Sequence, residues 1–172
     1  MFKLMGVCML IAGGTGFAFC ICKDLNRRLV LLREVKYMYE LLQSEIRYTS
    51  LPLPLIFHNI SDKIMAPFDS LLQQVGEGME PEKGGVFCQV WRTEAEKSLA
   101  EVPFTNKQKE FILRFPETMG LSDSEGQAKA LQRSMDELDR WIAVQEKEGR
   151  ERNKIIMSIG IAGGVLLAIL LL

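Results

Sequence analysis

Two runs without a charged side chain stand near the two ends of this chain and constrain everything between them. Residues 4–22 read LMGVCMLIAGGTGFAFCIC, and residues 155–172 read IIMSIGIAGGVLLAILLL. Each is long enough to cross the roughly 30 Å hydrocarbon core of a bilayer as a helix. A cleaved signal peptide is the alternative for the first run, with Lys3 ahead of it and Gly16-Phe17-Ala18 as a small-residue site. The basic cluster Lys23, Arg27 and Arg28 directly behind it favours a retained span, and Phe19 before Cys20 fits a lipoprotein signal poorly. A buried core helix is the alternative for the second run, but that run has no polar face. The pattern predicts two transmembrane helices.

Basic side chains set their orientation. Lys23, Arg27, Arg28, Arg33 and Lys36 follow the first run, and Lys147, Arg150, Arg152 and Lys154 precede the second. By the positive-inside rule the middle is cytoplasmic and both ends face outward. The expected organisation is therefore a membrane hairpin: a transmembrane helix over 1–22, a cytoplasmic domain over 23–154 and a second transmembrane helix over 155–172. All 22 acidic residues and every Lys or Arg except Lys3 fall in the middle segment. That near balance gives no single-sign field of the kind that binds nucleic acid. Cys8, Cys20 and Cys22 sit in the first run and Cys88 stands alone, with no CxxC pair and with His58 as the one histidine. A structural zinc site needs about four placed ligands, so neither a metal nor a cofactor is expected.

The middle segment reads as all-α, a helical bundle without a β signal or an internal repeat. Leu25, Leu29, Leu32, Val35, Tyr39, Leu42 and Ile46 step by threes and fours along one helix face, in a helix expected to continue out of the membrane. It should stop before Pro52, because a proline pushes the preceding residue out of the helical region. Pro52 and Pro54 suit the first turn of a new helix, with Leu53, Ile56, Phe57 and Ile60 on its apolar side. Pro67 opens a further helix carrying Phe68, Leu71, Leu72 and Val75, and residues 76–85, GEGMEPEKGG, read as a loop. Val86 to Ala100 is helical again, with Phe87, Val90, Trp91 and Leu99 suited to burial. Thr105 can cap a helix with Phe111, Ile112, Leu113 and Phe115, which Pro116 should distort and a left-handed Gly120 should end. Ser122 to Glu125 fits a capping box for a last helix with Leu131, Met135, Leu138 and Ile142 on one stripe, running on into the second span.

Candidate chemistry is sparse. Glu94 and Glu96, and Asp136, Glu137 and Asp139, alternate with Lys and Arg as a solvated face does, so an acid/base set is the weaker reading. His58 reads as a surface polar group, and one histidine without an elbow-like turn gives no nucleophilic triad. No enzyme is expected. Gly160 and Gly164, like Ala12 and Gly16, are four apart, a spacing that lets membrane helices approach closely, either within the chain or between copies in a homo-oligomer. Neither run holds an ionisable residue, which argues against a carrier.

The order of motifs adds a resemblance. LLREVKYMYELLQSEIRYTSLPLPLIFHNIS and, later, MGLSDSEGQAKALQRSMDELD resemble the stage III sporulation protein AB family. The later segment departs only in Met119 before Gly120, where leucine is expected, a mild packing change. The resemblance singles out Glu45, Tyr48, Pro52, Leu53, Gly120, Asp123 and Gln127 as structural or interaction residues. It implies a place in the mother-cell membrane facing the forespore, within a channel-like complex of endospore formation. It further implies a likeness to the inner-membrane platform proteins of type II secretion and type IV pilus machines. On that basis the expected partners are a cytoplasmic secretion-type ATPase, the AA protein of the same set, and other members of the complex. A membrane-anchored receptor with a ligand-binding helical insert is the competing reading.

Overall fold

A computed structural model describes residues 26–49, 51–80, 85–120 and 124–171. Helices account for the regular structure among them: α1 over 26–48, α2 Leu53–Ser61, α3 Phe68–Gly78, α4 Phe87–Ser98, α5 Asn106–Leu113, α6 Phe115–Met119 and α7 Ser124–Leu171. No strand occurs among the described residues, so the all-α expectation is met. The chain falls into two compact units, Val30–Trp141 and, separately, Met1–Leu29 with Ile142–Leu172.

In the Val30–Trp141 unit, the predicted α1 stripe is buried at Leu32, Val35, Tyr39 and Leu42, and half-buried at Ile46. Leu31 and Met38 are buried as well. The helix therefore buries a wider face than a single stripe, as expected of one flanked on two sides. α7 runs antiparallel to α1 within this unit, because Lys36 Nζ meets Asp139 Oδ1 at 2.6 Å while Gln43 Nε2 donates to the Ala128 carbonyl at 2.8 Å. Its stripe of Leu131, Met135 and Leu138 is buried as predicted. Glu34 is a buried carboxylate on α1. It accepts the Met65 N–H at 2.7 Å, a charge-assisted bond that offsets part of its desolvation and ties the α2–α3 connection to α1.

Pro52 is the N-cap of α2 and Pro54 lies in its first turn, where a missing N–H is harmless. Gly76 to Gly78 belong to α3 and not to the predicted loop. Gly76 is buried, and a Cβ there would stand 3.2 Å from the Pro54 carbonyl. The glycine that reads as a loop signal thus serves close helix packing.

The greatest departure is at Pro116. One distorted helix was expected; two form, α5 and α6, separated at Arg114, with Pro116 in the first turn of α6. Thr105 does cap α5, in a reciprocal capping box with Gln108. Gly120 ends α6 with φ −71°, so it is right-handed and not left-handed: after a helix of barely one turn no left-handed closure is made. The predicted Ser122–Glu125 box includes residues 122 and 123, which lie outside the described residues.

An aromatic cluster seals the α5–α6 break. Trp91, fully buried on α4, stands 4.5 Å from Phe115 and 6.0 Å from Phe57 between ring centroids, and Phe115 is 5.2 Å from Tyr39. The Trp91 indole N–H donates to the Ile112 carbonyl at 2.9 Å, in the last turn of α5, where Pro116 has no N–H to donate to it.

In the Met1–Leu29 and Ile142–Leu172 unit, α7 continues as helix through Leu171, and Glu146 pairs with Arg150 at 3.9 Å. The first predicted span, 1–22, lies outside the described residues, as does Leu172 at the end of the second. Among the described residues no helix is long and apolar enough to cross a membrane.

Two outcomes follow from this packing. Trp91→Phe keeps an aromatic ring but removes the indole N–H from the Ile112 carbonyl, and should cost about 1–3 kcal/mol of unfolding free energy, measured by denaturant titration of the protein in detergent. Burial pushes the Tyr39 phenol upward, and the bond to Asp139 raises Lys36. Both groups are protonated more readily folded than unfolded, so their contribution is present below about pH 10 and is lost as pH rises further. Tyr39→Phe should flatten that alkaline fall in a stability–pH curve.

Candidate functional site

The end of α1 is closed by a local bond. Thr49 donates through its backbone N–H at 2.8 Å and through Oγ1 at 2.7 Å, both to the Glu45 carbonyl. It is therefore the carbonyl of Glu45, and not its carboxylate, that holds the turn. Pro52 then takes an extended conformation, φ −59° and ψ 144°, and its carbonyl accepts the N–H groups of Leu55 and Ile56 at 3.0 and 3.2 Å. The chain has reversed, and α2 starts with Leu53 half-buried.

The later motif reaches the same place. Gln127, on the first turns of α7, donates from Nε2 to the Met119 carbonyl at 3.2 Å, at the C-terminal end of α6. Gly120 follows as the exposed cap of α6. Ile46, Thr49, Leu51, Leu53, Ile56, Met119 and Gln127 together line a cleft of about 390 Å³. Of the residues predicted from sequence, Leu53 and Gln127 lie in this cleft. Glu45 and Tyr48 adjoin it through Ile46 and Thr49 in the chain, and Pro52 sits between two lining residues. Tyr48 is 83% exposed at the end of α1. Asp123 lies outside the described residues. Gly160 and Gly164 fall on the helical backbone of α7, and what packs on them lies outside the described side chains.

Leu51 and Leu55 were not anticipated. They are 41% and 51% exposed, and Leu55 lines a second recess of about 630 Å³ with Pro52, Pro54, His58, Gly76, Glu77, Met79 and Glu80. A signal was available for Leu55, a leucine off the α2 stripe where a polar residue would ordinarily stand, whereas Leu51 precedes the Pro52 cap, where an apolar residue is common. The carboxylates read as a solvated face do pair with cations, Glu94 with Lys97 at 2.8 Å and Glu96 with Arg92 at 3.2 Å. Glu94 goes further than that reading, since its Oε2 is buried with no hydrogen-bond partner. His58 is exposed on α2, and no group of His, Cys, Asp or Glu among the described residues is arranged to hold a metal ion. The cleft offers apolar walls, one amide and one hydroxyl. Such a surface can bury a partner's side chain and orient it, while it supplies no activated nucleophile.

Residues 3–172 match the family of stage III sporulation protein AB. Stage III sporulation protein AB of Bacillus subtilis (strain 168) is 24% identical over 173 residues, with both chains covered in full. A solved structure of a stage III sporulation protein AB superposes with a TM-score of 0.65 at 19% identity, over 72% of this chain and 97% of that one. The chain belongs to the stage III sporulation protein AB family, and the resemblance in its motifs is confirmed. Gln127→Ala should loosen the α6–α7 corner that forms one wall of the cleft, at a cost of about 1 kcal/mol, seen as a lower denaturation midpoint with unchanged helical content.

Proposed function

We propose that this chain is a membrane-held scaffold of endospore formation, and that the cleft between the α1–α2 turn and the α6–α7 corner is where a partner docks. One observation carries the reading. Two stretches far apart in sequence, both singled out by their family resemblance, converge on one cleft, and Tyr48, the chain neighbour of the lining residue Thr49, is 83% exposed. Tyrosine is among the residues that dominate binding energy when an interface forms over them. Leu51 adds apolar surface at the same rim.

The partner we assign is a cytoplasmic secretion-type ATPase of the kind represented by the AA protein of the same set. The two uncharged runs over 4–22 and 155–172 hold the chain in the mother-cell membrane, with the middle domain in the cytoplasm. In this arrangement the chain acts as a platform of a secretion-like channel complex and not as an enzyme. The character of the cleft supports this, because its lining has no acid, base or nucleophile within it. The helix α7 runs from Ser124 to Leu171.

Full-length chain in detergent should retain the purified ATPase at moderate salt. Tyr48→Ala should lower that retention by about tenfold, with an unchanged melting midpoint because the side chain is exposed. Absence of retention by the unsubstituted chain would count against the ATPase as partner; equal retention by Tyr48→Ala would move the contact away from this cleft.

A further inference from the structure

A third hollow, of about 490 Å³, lies on the Val30–Trp141 unit and is unused by the reading above. It is lined by Tyr39 from α1, Phe111 and Arg114 from α5 and its end, Glu117 from α6, and Glu137 and Trp141 from α7, with Lys107 and Glu110 at its margin. Three aromatic rings form one wall: Tyr39 stacks on Phe111 at 6.2 Å, and Trp141 meets Phe111 edge-on at 5.0 Å. Such rings present negative faces to a cation.

The chain already places a cation there. Lys107 Nζ lies 5.6 Å from the centre of the Trp141 ring and 3.7 Å from Glu137 Oε1. Both contacts are loose. The first is near the roughly 6 Å limit for attraction to a ring face. The second is well beyond the roughly 2.7–2.9 Å of a strong charge-assisted bond, and the Lys107 side chain is 77% exposed. Arg114 is engaged differently, by Glu117 through contacts of 2.9 and 3.0 Å. The cleft thus carries three carboxylates, Glu110, Glu117 and Glu137, against two cations, one of them weakly held.

We propose that this cleft receives an arginine side chain presented by a partner protein, and that Lys107 is an intramolecular stand-in which the arginine displaces. A planar guanidinium fits better than the lysine ammonium, because it can stack on the Trp141 face while forking to the Glu137 carboxylate. The site is separate from the cleft lined by Leu53 and Gln127 and its test does not depend on which protein docks there.

The full-length chain in detergent has two tryptophans, and their indole N–H resonances report separately. Trp91 is buried and bonded to Ile112, so it serves as the internal reference, and loss of the Trp141 signal in Trp141→Phe assigns the other. Titration with acetyl-Gly-Arg-Gly-amide should shift the Trp141 signal saturably and leave Trp91 still, whereas acetyl-Gly-Glu-Gly-amide should shift neither. Lys107→Ala should tighten the apparent affinity by about threefold, and Glu137→Gln should weaken it by at least as much. Lys109→Ala controls for net charge, since that ammonium is directed to the Ala100 carbonyl, and should leave the affinity near that of the unsubstituted chain. No shift with the arginine peptide, an equal response to the glutamate peptide, or a Lys107→Ala affinity unchanged or reduced would each overturn the proposal.

Discussion

The bond from the Trp91 indole to the Ile112 carbonyl is the contact on which the Val30–Trp141 unit turns. Proline at 116 has no N–H to give and forces the chain out of α5. A break of that kind inside a bundle exposes carbonyls where water cannot reach them. The indole supplies the missing donor from a neighbouring helix, and the same ring is the surface against which Phe115 settles as α6 begins. Tyr39 from α1 and Phe57 from α2 close on these rings from other directions. Three other helices, α2, α5 and α6, therefore meet a single side chain of α4 that is both a hydrogen-bond donor and the largest apolar body in the core.

How much of this was legible depended on whether the signal was local. Helix periodicity located Leu32, Val35, Tyr39 and Leu42 on α1, and Leu131, Met135 and Leu138 on α7, because a helix buries whatever its stripe presents. Thr105 as a cap, and Pro52 and Pro54 at the start of α2, were readable for the same reason: their effect acts on the next few residues. Gly76 failed because a glycine that permits a close approach reads identically to one that permits a turn. Gly120 failed because its conformation depends on how short α6 is, and that follows from where Pro116 breaks the chain. The pairing of Trp91 with Ile112 has no sequence signature at all, since it joins two helices through tertiary geometry.

The cleft lined by Leu53 and Gln127 was legible only in part, and by a different route. Leu53 and Gln127 came from motif resemblance, and nothing in spacing or charge could have placed them in one cleft. Their convergence is a product of the antiparallel run of α1 and α7, which brings the start of one helix beside the end of the other. The aromatic cleft around Trp141 was missed for the converse reason. Its carboxylates look like ordinary solvated charges along α5 and α7, and only the fold shows that rings lie among them.

The buried carboxylate of Glu34 has one more consequence. It sits on α1 and grips the backbone of the segment between α2 and α3 at Met65. This bond ties the α2–α3 hairpin to α1 at its far end, while the Pro52 reversal joins it at the near end. Held at both ends, the hairpin cannot swing open as a flap. A load applied along α1 is therefore shared with α2 and α3 at both ends of the hairpin.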